Sequence, residues 1–264
     1  MILRRLGNKK RIAHKIIPHF PPHKIYIEPF FGAGGMFFSK PKAKYNIVND
    51  LDSDVFNLFQ VIKNYPDKFR ECLEITPYHT DVFNYFKTSE EENIIWRAVG
   101  FVHLSNFGYL GKPNTLHFAI NNSKKIALKQ LEDTINFLKD TSIKFMNTDF
   151  RNVVKNIPFK TKSEIANAFI YCDPPYLNTG DNYSDGFTPE QTSELFQTLI
   201  ETGCKFAVSE FDNPFVLDLA KQHNLEVITI GDRSNLKNRR TEILVVNYES
   251  PALYGLFGSN NVRG

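Results

Sequence analysis

The amino-acid sequence predicts an α/β fold in which a mostly parallel sheet is interrupted by an inserted helical domain. Short strand-like apolar runs alternate with helical patterns near both ends, whereas residues 66–140 carry mainly successive helical patterns. Alternating strands and helices favour a parallel sheet, because helices usually supply the crossover connections. We therefore assign residues 1–60 and 141–250 to the sheet domain, 61–140 to a helical insertion and 251–264 to a loose tail.

Each predicted strand is a short run of apolar residues bounded by turn residues. In chain order these runs are residues 24–28, 45–48, 143–146, 168–172, 205–209, 226–230 and 242–248. After the second run, Asp52 or Ser53 can cap a helix, and another helix is predicted to begin near Met36. Thr188-Pro-Glu-Gln supplies an N-cap, a first-turn proline and a capping-box glutamine for a helix over residues 192–201.

A Gly-rich turn follows the first predicted strand and contains Gly32 and Gly34. Glycine lets the backbone approach a nucleotide-like ligand closely at the carboxyl end of a parallel strand. The spacing differs from the GxGxxG pattern of dinucleotide-binding enzymes, which disfavours a dehydrogenase. Asp50 ends the second strand, roughly 20 residues later, where a carboxylate can accept hydrogen bonds from ribose hydroxyls. The alternatives are a simple tight turn and a helix cap.

The tetrapeptide Asp173-Pro174-Pro175-Tyr176 directly follows the apolar run 168–172. The prolines stiffen the backbone and donate no hydrogen bonds, which leaves the Asp173 carboxylate and carbonyl oxygens as acceptors at the strand end. Such acceptors suit a conjugated amine, whose lone pair they can direct at an electrophilic methyl group. We expect Asp173 to orient an amine rather than to hold the fold. The alternative is a rigid turn.

Composition narrows the class of protein. The 264 residues, 42% of them hydrophobic, can bury a sizeable core, and the net charge of +3 does not by itself indicate a nucleic-acid binder. No apolar run is long enough to span a membrane, and the basic start lacks the apolar core of a secretory signal, which predicts a cytoplasmic protein. Cys72, Cys172 and Cys204 lack disulfide or metal-ligand spacing, so we expect no metal site.

Taken together, these motifs resemble the Dam-type adenine-specific DNA methyltransferases over nearly the whole chain. Five segments stand in the family's order. The segments are Arg5-Leu-Gly-Asn-Lys9, Glu28-Pro29-Phe30-Phe-Gly32-Ala-Gly34-Gly, Asn49-Asp50, Asp149-Phe150 and Asp173-Pro-Pro-Tyr176. The resemblance implies a Rossmann-like methyltransferase sheet. It also implies that the first four segments and Asp173 bind S-adenosylmethionine, and that the last segment is catalytic.

The resemblance also implies that duplex DNA is the substrate, and that an adenine leaves the stacked helix to reach the methyl donor. We expect the hairpin or loop near residues 106–118 to read base edges through Asn106, Tyr109 and Asn114. Lys124 and Arg239 are expected to contact phosphates. No obligatory protein partner is indicated.

The sequence leaves two rival functions open. The same methyl transfer could act on RNA or on a protein amide, since such a site accepts any planar conjugated amine. Asp at position 173 and the large insertion favour DNA. A non-catalytic DNA-binding regulator would be expected to have lost motif residues, and none of them is lost. The sequence leaves open the target site, the oligomeric state, and whether the enzyme serves a restriction–modification system, a phage or chromosomal regulation.

Overall fold

The computed structural model describes residues 1–5, 7–108, 116–117, 124–177, 187–234 and 239–252, except for the side chains at positions 233, 234 and 239. The strands of this part are β1 (Ile25–Glu28), β2 (Tyr45–Asn49), β3 (Ile143–Met146), β4 (Ala168–Cys172), β5 (Lys205–Phe211), β6 (Glu226–Ser234) and β7 (Arg239–Val246). Its α-helices are α1 (Ala13–Ile16), α2 (Ser53–Asn64), α3 (Pro66–Ile75), α4 (Thr80–Thr88), α5 (Ile94–Phe107), α6 (Lys124–Lys139), α7 (Phe150–Lys155), α8 (Lys162–Ala166), α9 (Pro189–Glu201) and α10 (Pro214–Gln222).

The strands form one seven-stranded sheet in the order β3-β2-β1-β4-β5-β7-β6. The pairs among β1 to β5 are parallel, and β7 runs antiparallel to both β5 and β6, which confirms the predicted mostly parallel sheet. From β1 the chain builds β2 and β3 on one side, and it then returns to place β4 on the other side. The carboxyl ends of β1 and β4 are therefore neighbours at a topological switch point, where open α/β sheets bind their ligands.

Apolar side chains cover both faces of this sheet. All five residues of β4 are buried, as expected for a parallel strand packed on both faces. One cluster of buried side chains includes Tyr171 and joins the sheet to α2 and α5, and the other includes Ile170 and joins it to α9 and α10. The tetrapeptide that begins at Asp173 therefore leaves a strand that both clusters hold in place.

The helical insertion packs on the sheet domain through α2. Helix α5 contacts α2, α3 and α4, and α6 contacts α2 and α3. The predicted domain boundary between residues 60 and 61 falls inside α2, because Val61 and Ile62 continue the buried face of that helix. The predicted boundary at residue 140 falls in the turn between α6 and β3. Of the predicted tail, only residues 251 and 252 are described.

The predicted helix near Met36 is wrong, because residues 32–39 form turns. Gly32 and Gly34, with φ angles of 53° and 73°, form the tight turn before this segment. Pro41 follows only five residues after Met36, and a proline lacks an N–H group and disfavours helical backbone in the residue before it, so no helix develops. Met36 and Phe37 instead insert into the core, where each is 1% exposed. The sequence patterns also missed the short helices α1, α7 and α8.

The last two strands extend into the region predicted as a basic loop. The predicted strand 226–230 continues to Ser234, and the predicted strand 242–248 begins earlier and ends earlier, at Arg239 and Val246. Residues 233 and 240 are paired across these strands. The basic segment is therefore partly a β-ribbon, and residues 235–238 lie outside the described part.

Candidate active site at the carboxyl edge of the sheet

The Gly-rich turn and the tetrapeptide that begins at Asp173 leave neighbouring strands at the switch point. Strand β1 ends at Glu28 and runs into the Gly-rich turn, and β4 ends at Cys172 and runs into Asp173. The two strands pair in parallel, with Ile27 opposite Ile170. The two segments therefore leave the sheet at the same edge, because neighbouring parallel strands present their carboxyl ends there.

An N-terminal lysine reaches the tetrapeptide from outside the sheet. The Nζ of Lys9 lies 2.5 Å from Oδ1 of Asp173 and 3.5 Å from Oε1 of Glu242 in β7. Lys9 is 3% exposed and Glu242 is 1% exposed, whereas the Asp173 side chain is 21% exposed. Asp173 is thus the member of this charged trio that solvent and a ligand can reach. The expectation that Asp173 has no part in holding the fold is wrong, because it pairs with a buried ammonium group.

Tyr176 is held by the same group of residues. Its hydroxyl donates a hydrogen bond to Oε1 of Glu242, and the Lys9 ammonium lies 4.5 Å from its ring centroid. Phe211 of β5 packs edge-on against the ring at 4.7 Å. Burial raises the pKa of the Tyr176 hydroxyl well above its ordinary value, with the charges of Asp173 and Glu242 adding to the effect. Tyr176 therefore acts as a neutral hydrogen-bond donor here.

The backbone around Tyr176 is fixed from β5. Pro174 is buried, and Pro175 is partly exposed. The backbone N–H groups of Leu177 and Phe211 donate to the two carboxylate oxygens of Glu210, at 3.2 and 2.8 Å. Burial raises the pKa of Glu210 to about 8. This anchor keeps the end of the tetrapeptide against β5.

The end of β2 holds the second candidate ligand group. Oδ2 of Asp50 accepts a hydrogen bond from the Gly32 N–H at 2.5 Å, and Oδ1 accepts one from the Asp52 N–H at 2.9 Å. Asp52, not Asp50, caps α2, because its carboxylate accepts from the Asp54 N–H. Arg5 donates to the Asp52 carboxylate at 2.9 Å. Burial raises the pKa of Asp50, and the charge of Arg5 partly opposes this rise. Asp50 is therefore a preset acceptor and not the cap of the helix.

A third carboxyl group lies beneath the Gly-rich turn. Glu28 is 2% exposed, and Tyr26 donates its hydroxyl to Oε2 of Glu28 at 2.8 Å. Burial raises the pKa of Glu28 to about 8, although the Tyr26 hydrogen bond and Lys40 lower it, and the charges of Asp173 and Asp50 raise it further. Glu28, Asp50 and Asp173 thus bring three carboxyl groups together at the switch point. A positively charged ligand bound there would favour their ionised forms.

Three aromatic rings cluster beside the Gly-rich turn. Phe30 lies 5.4 Å from Phe150 and 5.7 Å from Phe187, measured between ring centroids. Asp149 caps α7 through the Arg151 N–H, and its carboxylate also pairs with the Arg151 guanidinium at 2.8 Å. Asp149 and Phe150 are thus next to Phe30, but part of the Asp149 carboxylate is already used by the cap.

Sequence reasoning missed Glu210 and Glu242 altogether. Glu210 lies within Val208-Ser-Glu-Phe of β5, and Glu242 directly precedes the apolar run Ile243-Leu-Val-Val of β7. An acidic residue at a buried strand position costs free energy unless it is paired, so its presence is itself a signal of a site. Their partners could not be identified, because they come from distant parts of the chain.

The model of the D12 class N6 adenine-specific DNA methyltransferases matches residues 6–236 of this chain. The chain belongs to this family. Relatives include the type II methyltransferase M1.LlaDCHI of Lactococcus lactis subsp. cremoris, which is 24% identical to this chain. The alignment covers 92% of this chain and 93% of that relative. The DNA adenine methylase of Escherichia coli K12 is 23% identical, with 86% of each chain covered.

A third relative, the DNA adenine methylase of Haemophilus influenzae, is 31% identical over 66% of this chain and 63% of its own length. The solved structure of the rRNA methyltransferase aviRa from Streptomyces viridochromogenes aligns with a TM-score of 0.40 at 11% identity, over 92% of this chain and 84% of that one. The family assignment confirms the predicted resemblance and the transfer of a methyl group to adenine N6 in DNA.

The methyl donor of this D12 methyltransferase is S-adenosylmethionine. The residues at the switch point fit a ligand that carries ribose hydroxyls, an ammonium group and a sulfonium centre. A Cβ added at Gly32 would meet no atom within 4 Å, so open space lies above this glycine beside the Asp50 carboxylate. The Asp173 carboxylate suits a cation, and a bound cation would in turn favour the ionised form of Glu28.

The predicted DNA contacts of the methyltransferase are only partly within the described residues. Asn106 is 4% exposed, its amide nitrogen donates to the Ile2 carbonyl, and its amide oxygen accepts from the Arg4 N–H. The prediction that Asn106 reads bases disagrees with this geometry, because its amide groups anchor the N-terminal segment. Lys124 is accessible, and its Nζ donates to the Glu74 carbonyl at 2.5 Å.

The other three predicted features of the recognition region are described incompletely or not at all. Tyr109 and Asn114 lie outside the described residues, as does the side chain of Arg239. Gly108 forms an antiparallel bridge with Leu116, at the ends of the predicted hairpin. Within the described residues no cluster of His, Cys, Asp and Glu could hold a metal ion, the three cysteines are buried and free, and no helix is long and apolar enough to cross a membrane.

Proposed function

We propose that this enzyme methylates the N6 amine of an adenine that it has flipped out of duplex DNA, and that Asp173 and the Pro174 carbonyl orient the amine. One observation carries the proposal: Asp173-Pro174-Pro175-Tyr176 and the Gly-rich turn leave the adjacent strands β4 and β1 at the topological switch point. A donor bound by the Gly-rich turn would lie beside the acceptors that follow β4. An adenine within a stacked duplex cannot reach such a cleft, so the base has to leave the helix.

The cofactor side uses residues along β1, β2 and α7. In this proposal Asp50 accepts hydrogen bonds from the ribose hydroxyls, Asp173 stabilises the positive charge of the ligand, and Glu28 does so once the bound cation has lowered its pKa. The backbone from Pro29 to Gly34 approaches the ligand closely, and Phe30 and Phe150 contact its adenine. We propose supporting contacts for Asp149, Arg5 and Lys9. When bound, S-adenosylmethionine supplies the electrophilic methyl group.

The amine side provides hydrogen-bond acceptors. Asp173 and the Pro174 carbonyl each accept a hydrogen bond from the amine, and both bonds strengthen as the nitrogen acquires positive charge. The Asp173 carboxylate can then take up the proton that the methylated nitrogen loses. Lys9 holds Oδ1 of Asp173 at 2.5 Å, so the amine either shares this carboxylate with the Lys9 ammonium or takes the place of Lys9 on it. Tyr176 is 8% exposed, so we place the base against the part of its ring that faces away from Lys9.

The helical insertion is the proposed target-recognition region. Residues 61–140 connect β2 to β3 and carry Lys124 on their surface. We propose that Tyr109 and Asn114 read base edges, and that Lys124 and Arg239 contact phosphates.

Methyl transfer from radiolabelled S-adenosylmethionine to DNA, RNA and protein tests the proposal. We expect label in duplex DNA from a methylation-free host, released as N6-methyladenine after digestion, and none with Asp173→Ala. Sequencing of DNA from such a host that expresses the enzyme then identifies the target sequence. Label in RNA or protein but not in DNA would contradict the proposed substrate. DNA binding without any methyl transfer would favour a regulator.

A further inference from the structure

A charged trio of Lys9, Asp173 and Glu242 lies at the proposed amine pocket, and one of its members lies outside the residues matched by the family model. Lys9 lies between two carboxylates, 2.5 Å from Asp173 and 3.5 Å from Glu242. Residue 242 lies beyond the matched range of 6–236. Two carboxylates and one ammonium group leave a net negative charge in this region.

Glu242 makes both of its identified contacts with residues of the proposed site. It is 1% exposed, and it precedes the buried apolar run Ile243–Val246 of β7. In the ladder it is opposite Phe211 of β5 and Gly231 of β6, so its backbone is fixed from both sides. Its Oε1 atom accepts the hydroxyl of Tyr176 and lies near the Lys9 ammonium. A buried carboxylate is costly unless charged partners compensate it, and Lys9 is such a partner.

The geometry also gives Lys9 a second place to bind. A shift of its Nζ by about 0.7 Å towards Glu242 would bring the pair within ordinary hydrogen-bonding distance. A shift that also lengthens the contact with Asp173 would leave Oδ1 more available to the target amine. If Glu242 were neutral, Lys9 would have Asp173 as its single charged partner in the trio, and the amine would have to compete with a full ion pair.

We propose that Glu242 is a positioning residue for methyl transfer, which shares the Lys9 ammonium with Asp173 and thereby makes the Asp173 carboxylate available to the target amine. The inference rests on the proposed roles of Asp173 and its tetrapeptide. Glu242 touches neither the base nor the donor in this scheme, and its effect passes through Lys9.

Glu242→Gln tests the proposal, because the amide keeps an oxygen for the Tyr176 hydroxyl and removes the charge. We expect kcat to fall at least tenfold at saturating cofactor and DNA, while KM for S-adenosylmethionine stays within threefold of wild type. Glu226→Gln is the matched control, since it makes the same change on the neighbouring strand, opposite Val246 at the other end of the ladder. It is expected to leave kcat unchanged.

A double-mutant cycle with Lys9→Met separates this role from a structural one. Without the Lys9 ammonium, Glu242 has no cation to share with Asp173. We therefore expect kcat of Lys9→Met and of Lys9→Met/Glu242→Gln to lie within twofold of each other. The double variant removes one positive and one negative charge and leaves neither buried without its partner. It can therefore be compared with Lys9→Met even if Glu242→Gln alone does not fold. A further tenfold loss in the double variant would overturn the proposal, as would wild-type kcat in Glu242→Gln. A wild-type enzyme that does not methylate DNA would instead contradict the proposed function itself.

Discussion

The carboxylates on the two sides of the switch point are held in different ways. On the cofactor side, Asp50 is fixed by the N–H groups of Gly32 and Asp52, and Glu28 is fixed by a tyrosine hydroxyl. On the amine side, Asp173 is held by the ammonium group of Lys9, which also has a second carboxylate in reach. On the proposed cofactor side neutral groups donate to the carboxylates, whereas on the proposed amine side a charged lysine side chain does so.

The difference matches what each side has to accept. Backbone donors move only with their turn, so the acceptors for a small cofactor are preorganised. Lysine has a long flexible side chain, and exchanging its partner is a small movement. We infer that the amine side adjusts when a base arrives from the DNA, while the cofactor side stays fixed. Substitutions on the two sides should therefore have different consequences.

Asp173→Ala should have the largest effect. It removes an acceptor whose hydrogen bond strengthens as the amine becomes charged, so we expect the single-turnover rate to fall at least hundredfold, or by about 3 kcal/mol. The variant should also lose thermal stability, because Lys9 loses its closest partner. Adding Lys9→Met should restore part of that stability without restoring the rate. A rate within threefold of wild type at saturating cofactor and DNA would remove Asp173 from the mechanism.

Asp50→Ala should act on the cofactor side alone. Loss of a charged acceptor for two ribose hydroxyls is expected to weaken S-adenosylmethionine binding by about 1.5–3 kcal/mol, measured by calorimetry. Asp52→Ala is the control, because it removes the cap of α2 but leaves its own N–H group in place for Asp50. It should lower the melting temperature and keep the dissociation constant. Equal weakening in both variants would show that the loop as a whole matters, not the Asp50 carboxylate.

Asn106→Ala should loosen the segment that delivers Lys9. The change removes hydrogen bonds to Ile2 and Arg4 and leaves buried backbone groups unpaired, which should lower the free energy of unfolding by about 2 kcal/mol. The set of methylated sequences should stay the same, as read by sequencing of DNA methylated in vivo. A changed target sequence at unchanged stability would return Asn106 to the role of a base reader.

Much of the site could be predicted, because its main parts are local. An apolar run leading into Asp173-Pro-Pro-Tyr176, and another leading into the Gly-rich turn, place both segments at strand ends without knowledge of tertiary contacts. The pairing of Lys9 with Asp173 could not be predicted in the same way, since 164 residues separate them. The cofactor side was therefore easier to derive than the charged trio.

The wrong predictions have specific physical causes. The helix expected near Met36 fails because Pro41 follows only five residues later, and a proline disfavours helical backbone in the residue before it. Asn106 was expected in a hairpin or loop, but α5 continues to Phe107, and eight residues of this helix are buried, which indicates burial on several of its sides. An asparagine in such a helix is more often a buried hydrogen-bonding group than a base reader.

Raising the pH should destabilise the unliganded protein through Glu28. Burial raises the pKa of this group to about 8, so the folded state keeps a proton that the unfolded state has already released. The unfolded state therefore binds fewer protons, and stability falls as the pH rises from about 4.5 towards 8. Between pH 6.5 and 8 we expect a loss of about 1–2 kcal/mol that Glu28→Gln lacks, measured by chemical denaturation. Parallel pH profiles for the two proteins would mean that Glu28 is already ionised in the folded state.

Lys124→Ala should have the smallest effect and should spare both sides of the switch point. Lys124 begins α6 in the insertion, and its ammonium group can leave the Glu74 carbonyl to contact a phosphate. Removing one phosphate contact should weaken binding to all duplexes alike by a few-fold and lower the slope of log affinity against log salt by about 0.9. Lys129→Ala is the matched control, since Lys129 lies on the same helix with its side chain 78% exposed near Asp133. Cofactor affinity should not change in either variant. An unchanged salt slope for Lys124→Ala would show that Lys124 contacts no phosphate.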